Sequence, residues 1–159
     1  MKAAMPRHFG FIAFAATQVV IDLETLYHLV EQQWPLHTVL HTYVGATCVG
    51  IVVGFIIFLQ AWGIRRFANS CELEPLEQRL IEWRVDDLTS ALVGGIIGGA
   101  SHVILDSIMH ADVQPLWPFT SENALHRAIS VDGLHLGCVV AGLFGIGILL
   151  VNRPPRIGE

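Results

Sequence analysis

The sequence predicts an all-α, polytopic membrane protein, a single domain built as a bundle of four transmembrane helices. Three observations predict it. Only 14% of the 159 residues are charged, against about 25% in an ordinary soluble domain. The mean hydropathy is positive, at +0.56. Four apolar runs, about 8–30, 38–62, 88–109 and 131–151, each have about 20 residues or more, enough to cross a hydrocarbon core of about 30 Å. The strand alternation of a membrane barrel is not visible. With a net charge of −5 and no basic stripe, the chain carries no footprint for nucleic acid.

The first run follows Lys2 and Arg7. Ala13-Phe14-Ala15 has the small-x-small look of a signal-peptidase site, but the apolar core before it is short. The pattern continues through Val19, Val20 and Ile21, so the stretch reads as an uncleaved first span. Cys48, Cys71 and Cys138 form no CxxC pair, and no disulfide or catalytic role is assigned to them.

Between the second and third runs, Leu73, Leu76, Leu80 and Trp83 recur at helical spacing among Glu74, Glu77, Arg79 and Glu82. This predicts a short amphipathic helix on the inner leaflet. Gly50 and Gly54, Gly94 and Gly98, and Gly95 and Gly99 have GxxxG spacing, and Gly137, Ala141 and Gly145 continue it on the fourth run. Such spacing lets helix backbones approach closely in lipid. Basic residues set the orientation. Lys2, Arg7, Arg65, Arg66, Arg79, Arg84, Arg153 and Arg156 lie at the termini and in the middle loop, whereas the other two connections hold only Arg127. The positive-inside rule then places both termini and the middle loop in the cytoplasm, in a bacterial inner membrane.

The ionisable residues of the spans gather at the opposite, outer end. Asp22, Glu24 and His28 occupy the second half of the first span, with His37 and His41 at the start of the second. His102 and Asp106 lie in the second half of the third, Asp132 and His135 near the start of the fourth. A lone histidine in a span usually makes a helix–helix hydrogen bond. A charge at the centre of a span costs about 2.5–3.5 kcal/mol unless paired or solvated, and a shared cation or proton network relieves that cost for the whole constellation. His37 and His41 are i and i+4, as are His102 and Asp106, so each pair shares a face of a continuous helix. With Asp22 or Glu24 they form a mixed nitrogen and oxygen site for one or two divalent ions, Zn²⁺ foremost, Mn²⁺ or Fe²⁺ otherwise. His135 is a candidate supporting or ligating residue. His28, His110 and Asp112 are left as interface or loop residues, and His8 and His126 as surface groups.

The third span and its exit read Gly99-Ala100-Ser101-His102-Val103-Ile104-Leu105-Asp106, then Pro115-Leu116-Trp117-Pro118-Phe119. This resembles the SHxxLD…LWPF signature of the YdjM-like family of predicted membrane-bound metal-dependent hydrolases. Ile21-Asp22-Leu23-Glu24 is similar to that family's PDxD-type segment, and His37-Thr38-Val39-Leu40-His41-Thr42 to its HRxxTHS-type segment. Here Ile21 replaces proline, Glu24 replaces the second aspartate, and three residues rather than four separate the histidines. The resemblance implies a membrane metal site and, through the family's label, a hydrolase.

The leading expectation is therefore a metal-dependent hydrolase acting near the outer leaflet on an amphiphilic substrate, a lipid or lipid phosphoester. Asp22, His41, His102 and Asp106 hold the metal, His37 is a further ligand, and Glu24 is the general base. Trp34, Trp117 and Phe119 sit at headgroup level. Ser101 lacks the context of a nucleophile elbow. A cation or proton transporter is the alternative from another class, although the inner halves of the spans offer no polar route. A non-haem iron oxidase would need repeated HxxHH boxes, which the chain lacks. The tight-packing helices also suit a homo-oligomer or a metal-stabilised subunit of a membrane complex.

Overall fold

The apolar runs become helices in the computed structural model, which describes residues 9–68, 70 and 87–151. These are α1 (Phe11–Val30), α2 (Tyr43–Ala68), α3 (Leu88–Met109) and α4 (Val131–Val151), with a single 3-10 turn at Val39–His41. No strand occurs among the described residues. Three segments are long and apolar enough to cross a membrane: Tyr43–Phe67, Leu88–Met109 and Val131–Ile148. The equally long α1 is not among them and carries Gln18, Asp22, Glu24 and His28. The expected amphipathic helix of the middle loop lies outside the described residues.

Local chemistry fixes the helix ends. Asp87 caps α3, its Oδ1 accepting from the Ser90 amide at 2.7 Å, which satisfies one of the free N–H groups of the first turn. At the other end of α3, Asn123 Nδ2 donates to the carbonyls of Ser107 and His110. The connection after α3 thus folds back over the helix end, and Val113 within it is fully buried.

Glycine decides how close the helices come. On one face of α3, a Cβ added at Gly94 would collide with the backbone of Gly10, and one at Gly98 would lie 2.7 Å from the Phe14 carbonyl oxygen. On the adjacent face, Gly95 meets Gly50 backbone to backbone and Gly99 meets Ala46. The two GxxxG pairs of α3 therefore serve two neighbours: α1 runs parallel to α3, and α2 runs antiparallel. This is dispersion packing of the kind expected where lipid removes the hydrophobic drive between helices. Ile21, Ala46 and Val103 form the small buried core of this three-helix unit.

α4 is different. It touches α3 and little else, and Leu134 is its one buried side chain among the described residues. Gly137 and Gly145 have no neighbour within 4 Å of an added Cβ, so the small-residue spacing expected to pack α4 meets no helix among the described residues.

The expected start of the second span also changes. The structure begins α2 at Tyr43 rather than at residue 38, so His37 and His41 do not share a helix face. The cause is Glu24 on α1, whose carboxylate accepts from the amides of Thr38 and Leu40 at 3.0–3.1 Å. Those amides are held sideways in a turn.

Candidate metal centre

The parallel packing of α1 and α3 sets up a ladder with four-residue steps. Phe14, Gln18 and Asp22 lie on one face of α1, and Gly98, His102 and Asp106 on the facing stripe of α3. Gly98 lets Phe14 close in. One turn further, Gln18 Oε1 meets His102 Nδ1 at 2.7 Å. One turn further again, Asp22 Oδ1 comes within 3.3 Å of His102 Nε2. From the start of α2, held against α3 by the contact of Ala46 with Gly99, the 3-10 turn supplies His41, whose Nε2 lies 3.4 Å from Asp106 Oδ2. One ligand atom from each of Asp22, His41, His102 and Asp106 lies within 4.8 Å of the others. These are four of the residues that the sequence nominates as metal ligands.

Hydrogen bonds define what each ring nitrogen can do. Ser101 Oγ donates to the Gly98 carbonyl at 2.9 Å, so toward Gln18 it can only accept, and it does so from Nε2 at 3.2 Å. That fixes the Gln18 amide with Oε1 toward His102, and Nδ1 of His102 must carry the ring proton. Its Nε2 is buried, has no hydrogen-bond partner among the described residues, and points between Asp22 Oδ1 and Asp106 Oδ2, the latter at 3.2 Å. A ring nitrogen facing two carboxylates calls for positive charge between them, from a metal ion or from a proton of its own. His41 is built the same way. Its Nδ1 donates to Glu24 Oε2 at 3.0 Å, leaving Nε2 toward Asp106 and the Thr25 hydroxyl, the latter at 3.3 Å. Each imidazole is anchored through one nitrogen and presents the other, the arrangement in which outer groups orient metal-binding histidines.

The remaining nominated residues fall elsewhere. Glu24, expected as a general base, has both oxygens engaged by the Thr38 and Leu40 amides and the His41 ring. Its lone pairs hold the turn and orient His41, and this arrangement leaves it no room to act as a free base. His37 is not in the four-residue group. It joins His110 and Asp112, with one ligand atom of each within 4.8 Å of the others. His135 is exposed on α4 and belongs to neither group. His28 Nδ1 donates to the Leu36 carbonyl at 3.0 Å, an interface role.

In the second group, Asp112 Oδ2 accepts from the amides of Leu36 and His37 and from His37 Nδ1, at 3.0–3.2 Å. Burial draws the His37 imidazole below its ordinary range, and the Asp112 carboxylate opposes this without reversing it. Burial acts to raise the Asp112 carboxyl, but the hydrogen bonds from the His37 ring and amide outweigh it and hold it below the usual carboxylate range. At neutral pH the pair is a neutral imidazole on an ionised carboxylate.

Gln18, Ser101, Thr25 and the His110–Asp112 pair are absent from the sequence-derived site. Gln18 carried a usable signal, standing four residues before Asp22 on the same face of an apolar helix. The role of Asp112 depends on the chain folding back after α3, which no spacing announces. A family model described as a domain of unknown function (DUF4184) matches residues 3–158. Neither a curated protein nor a solved structure matches the chain.

Proposed function

The chain belongs to the DUF4184 family, and we propose that it is a membrane-embedded, metal-dependent hydrolase acting on an amphiphilic substrate, a lipid or lipid phosphoester, near the outer leaflet. The observation that carries this reading is the buried Nε2 of His102, a ring nitrogen without a hydrogen-bond partner among the described residues, set between two carboxylates. With His41 Nε2, Asp106 and Asp22, it offers two nitrogens and two oxygens, a donor set suited to Zn²⁺ and also to Mn²⁺ or Fe²⁺. A divalent cation bound there supplies a centre at which water loses its proton near neutral pH.

The chain's own groups do the rest. Gln18 and Glu24 hold the two imidazoles in place. Asp22, with its side chain 63% exposed, is the ligand at the mouth of the site, where a substrate phosphate or ester oxygen can reach. Its other carboxylate oxygen is the base that can take a proton, the role Glu24 cannot fill while its oxygens bind the turn. Trp34, Trp117 and Phe119 are exposed on the same side and suit the headgroup layer. In this reading α1 crosses the membrane as the fourth span, its polar residues turned to the site. Both termini are cytoplasmic, and the membrane is a bacterial inner membrane. Below the site the α1–α3 unit is closed by backbone contacts at Gly94, Gly95 and Gly98, which favours a surface enzyme over a transporter.

The test is elemental analysis of the detergent-purified protein, beside hydrolysis of labelled phospholipids and of a chromogenic phosphodiester. Stoichiometric metal and turnover in the parent, both lost in Asp106→Ala, are expected. A parent that takes up no zinc, manganese or iron on reconstitution overturns the proposal.

A further inference from the structure

Four acids meet at this end of the bundle: Asp22, Glu24, Asp106 and Asp112. Among the described residues their ion pairs are with imidazoles, those of His37, His41 and His102. The rings themselves form a continuous row. His102 and His41 have centroids 5.3 Å apart, His41 and His37 4.6 Å, and His37 and His110 4.5 Å. The row passes from the four-ligand group directly into the His37–His110–Asp112 group.

That second group is more than a hydrogen-bonded pair with a bystander. His37 and Asp112 alone would satisfy each other. His110 is nonetheless brought against His37, with ring planes 26° apart. Neither of its ring nitrogens is hydrogen-bonded among the described residues, while its backbone carbonyl is tied to Asn123. The carboxylate is fixed in place by two backbone amides, so its position does not depend on the imidazoles. Beside the group lies a cleft of about 220 Å³, between the 3-10 turn and the loop after α3, with His37, Thr38, Thr42, Gln114 and Trp117 in its walls.

We propose that His37, His110 and Asp112 hold a second divalent cation, next to the one held by Asp22, His41, His102 and Asp106, with a coordination position open to this cleft. Three protein ligands leave a position for water or substrate, as in zinc sites that do chemistry. The cleft beside that position is mostly apolar, with Pro35, Val39 and the Trp117 indole in its walls, and the Gln114 side chain adds a polar group. The proposal uses residues that the first site does not, so it stands or falls on its own.

Cobalt(II) titration of the full-length protein in detergent tests it, read by visible d–d absorption and by elemental analysis after desalting. The parent is expected to retain two equivalents, and both His110→Gln and Asp112→Asn one equivalent, with the other site's bands kept. Asp106→Asn is expected to lose the complementary set of bands. A parent that retains one equivalent overturns the second cation, as does either His110→Gln or Asp112→Asn retaining as much as the parent. Size-exclusion profiles identify a variant that has lost its fold, in which case the other variant of the pair decides. Failure of the first site alone reads differently, as an Asp106→Asn protein that keeps both equivalents.

Discussion

The two ends of the α1–α3 unit are held by opposite physics. At one end α3 meets its neighbours through glycine, with nothing but backbone between the helices at Gly50–Gly95 and Gly10–Gly94. At the other end the same helices are joined by histidines, carboxylates and an amide, with a buried nitrogen that has no hydrogen-bond partner among the described residues. The glycine end is complete as it stands. In the function proposed above, a cation completes the polar end. The close packing would serve that site, because only helices this near bring side chains together across four-residue steps.

The largest effect should come from breaking the packed end. In Gly95→Val, the new side chain would overlap the Gly50 carbonyl, and rigid backbone cannot yield as a side-chain tip does. Overpacking of a tight core costs about 1–3 kcal/mol and occasionally more, and a backbone collision belongs at or above the top of that range. Thermal aggregation of the detergent-solubilised protein should shift down sharply, or folded protein should not be recovered. Metal content should fall with it, since the ladder loses its spacing. A Gly95→Val protein with parental stability and metal would contradict the shared-scaffold argument.

Next comes the polar end itself. Asp106 is the acid that approaches both His41 and His102, so Asp106→Ala should abolish stoichiometric metal while leaving a monodisperse protein. The two ends separate only if this variant keeps its fold, which size exclusion and circular dichroism will report. A smaller effect is expected from Gln18→Leu. It removes the acceptor that fixes the His102 tautomer but no ligand, and loss of such an orienting partner typically weakens metal affinity about 10–100-fold. Competition with a chelator of known affinity measures this. An unchanged affinity would mean that the His102 ring is held by packing alone.

Much of this arrangement was legible in the sequence, and the exceptions have physical causes. The bounds of α3 and α4 follow from uninterrupted apolar runs ending at Asp87, His110 and Ser130. The His102–Asp106 pair follows from helical spacing. The start of α2 was misplaced because the apolar content of residues 38–42 looks helical. A carboxylate from another helix captures their amides, and one chain's periodicity does not reveal that competition. The same carboxylate is the expected base, and its oxygens bind the Thr38 and Leu40 amides and the His41 ring, partners that no residue pattern displays. His37 was grouped with His41 by spacing, whereas the long-range contact with Asp112 places it in a different group.

The smallest predicted effect concerns α4, where the small-residue spacing reads the same as on α3 and the surroundings do not. An added Cβ at Gly145 meets nothing within 4 Å, so Gly145→Val should change the stability of the isolated chain by no more than about 0.5 kcal/mol. Thermal melts of Gly145→Val and Gly95→Val in one detergent, side by side, measure the contrast directly. Equal and large losses would mean that α4 is covered by another helix in the folded assembly, and that its glycines pack as those of α3 do. A small loss beside a large one would leave glycine spacing as a marker of close approach only where a partner helix is present, since the motif permits contact and does not create it.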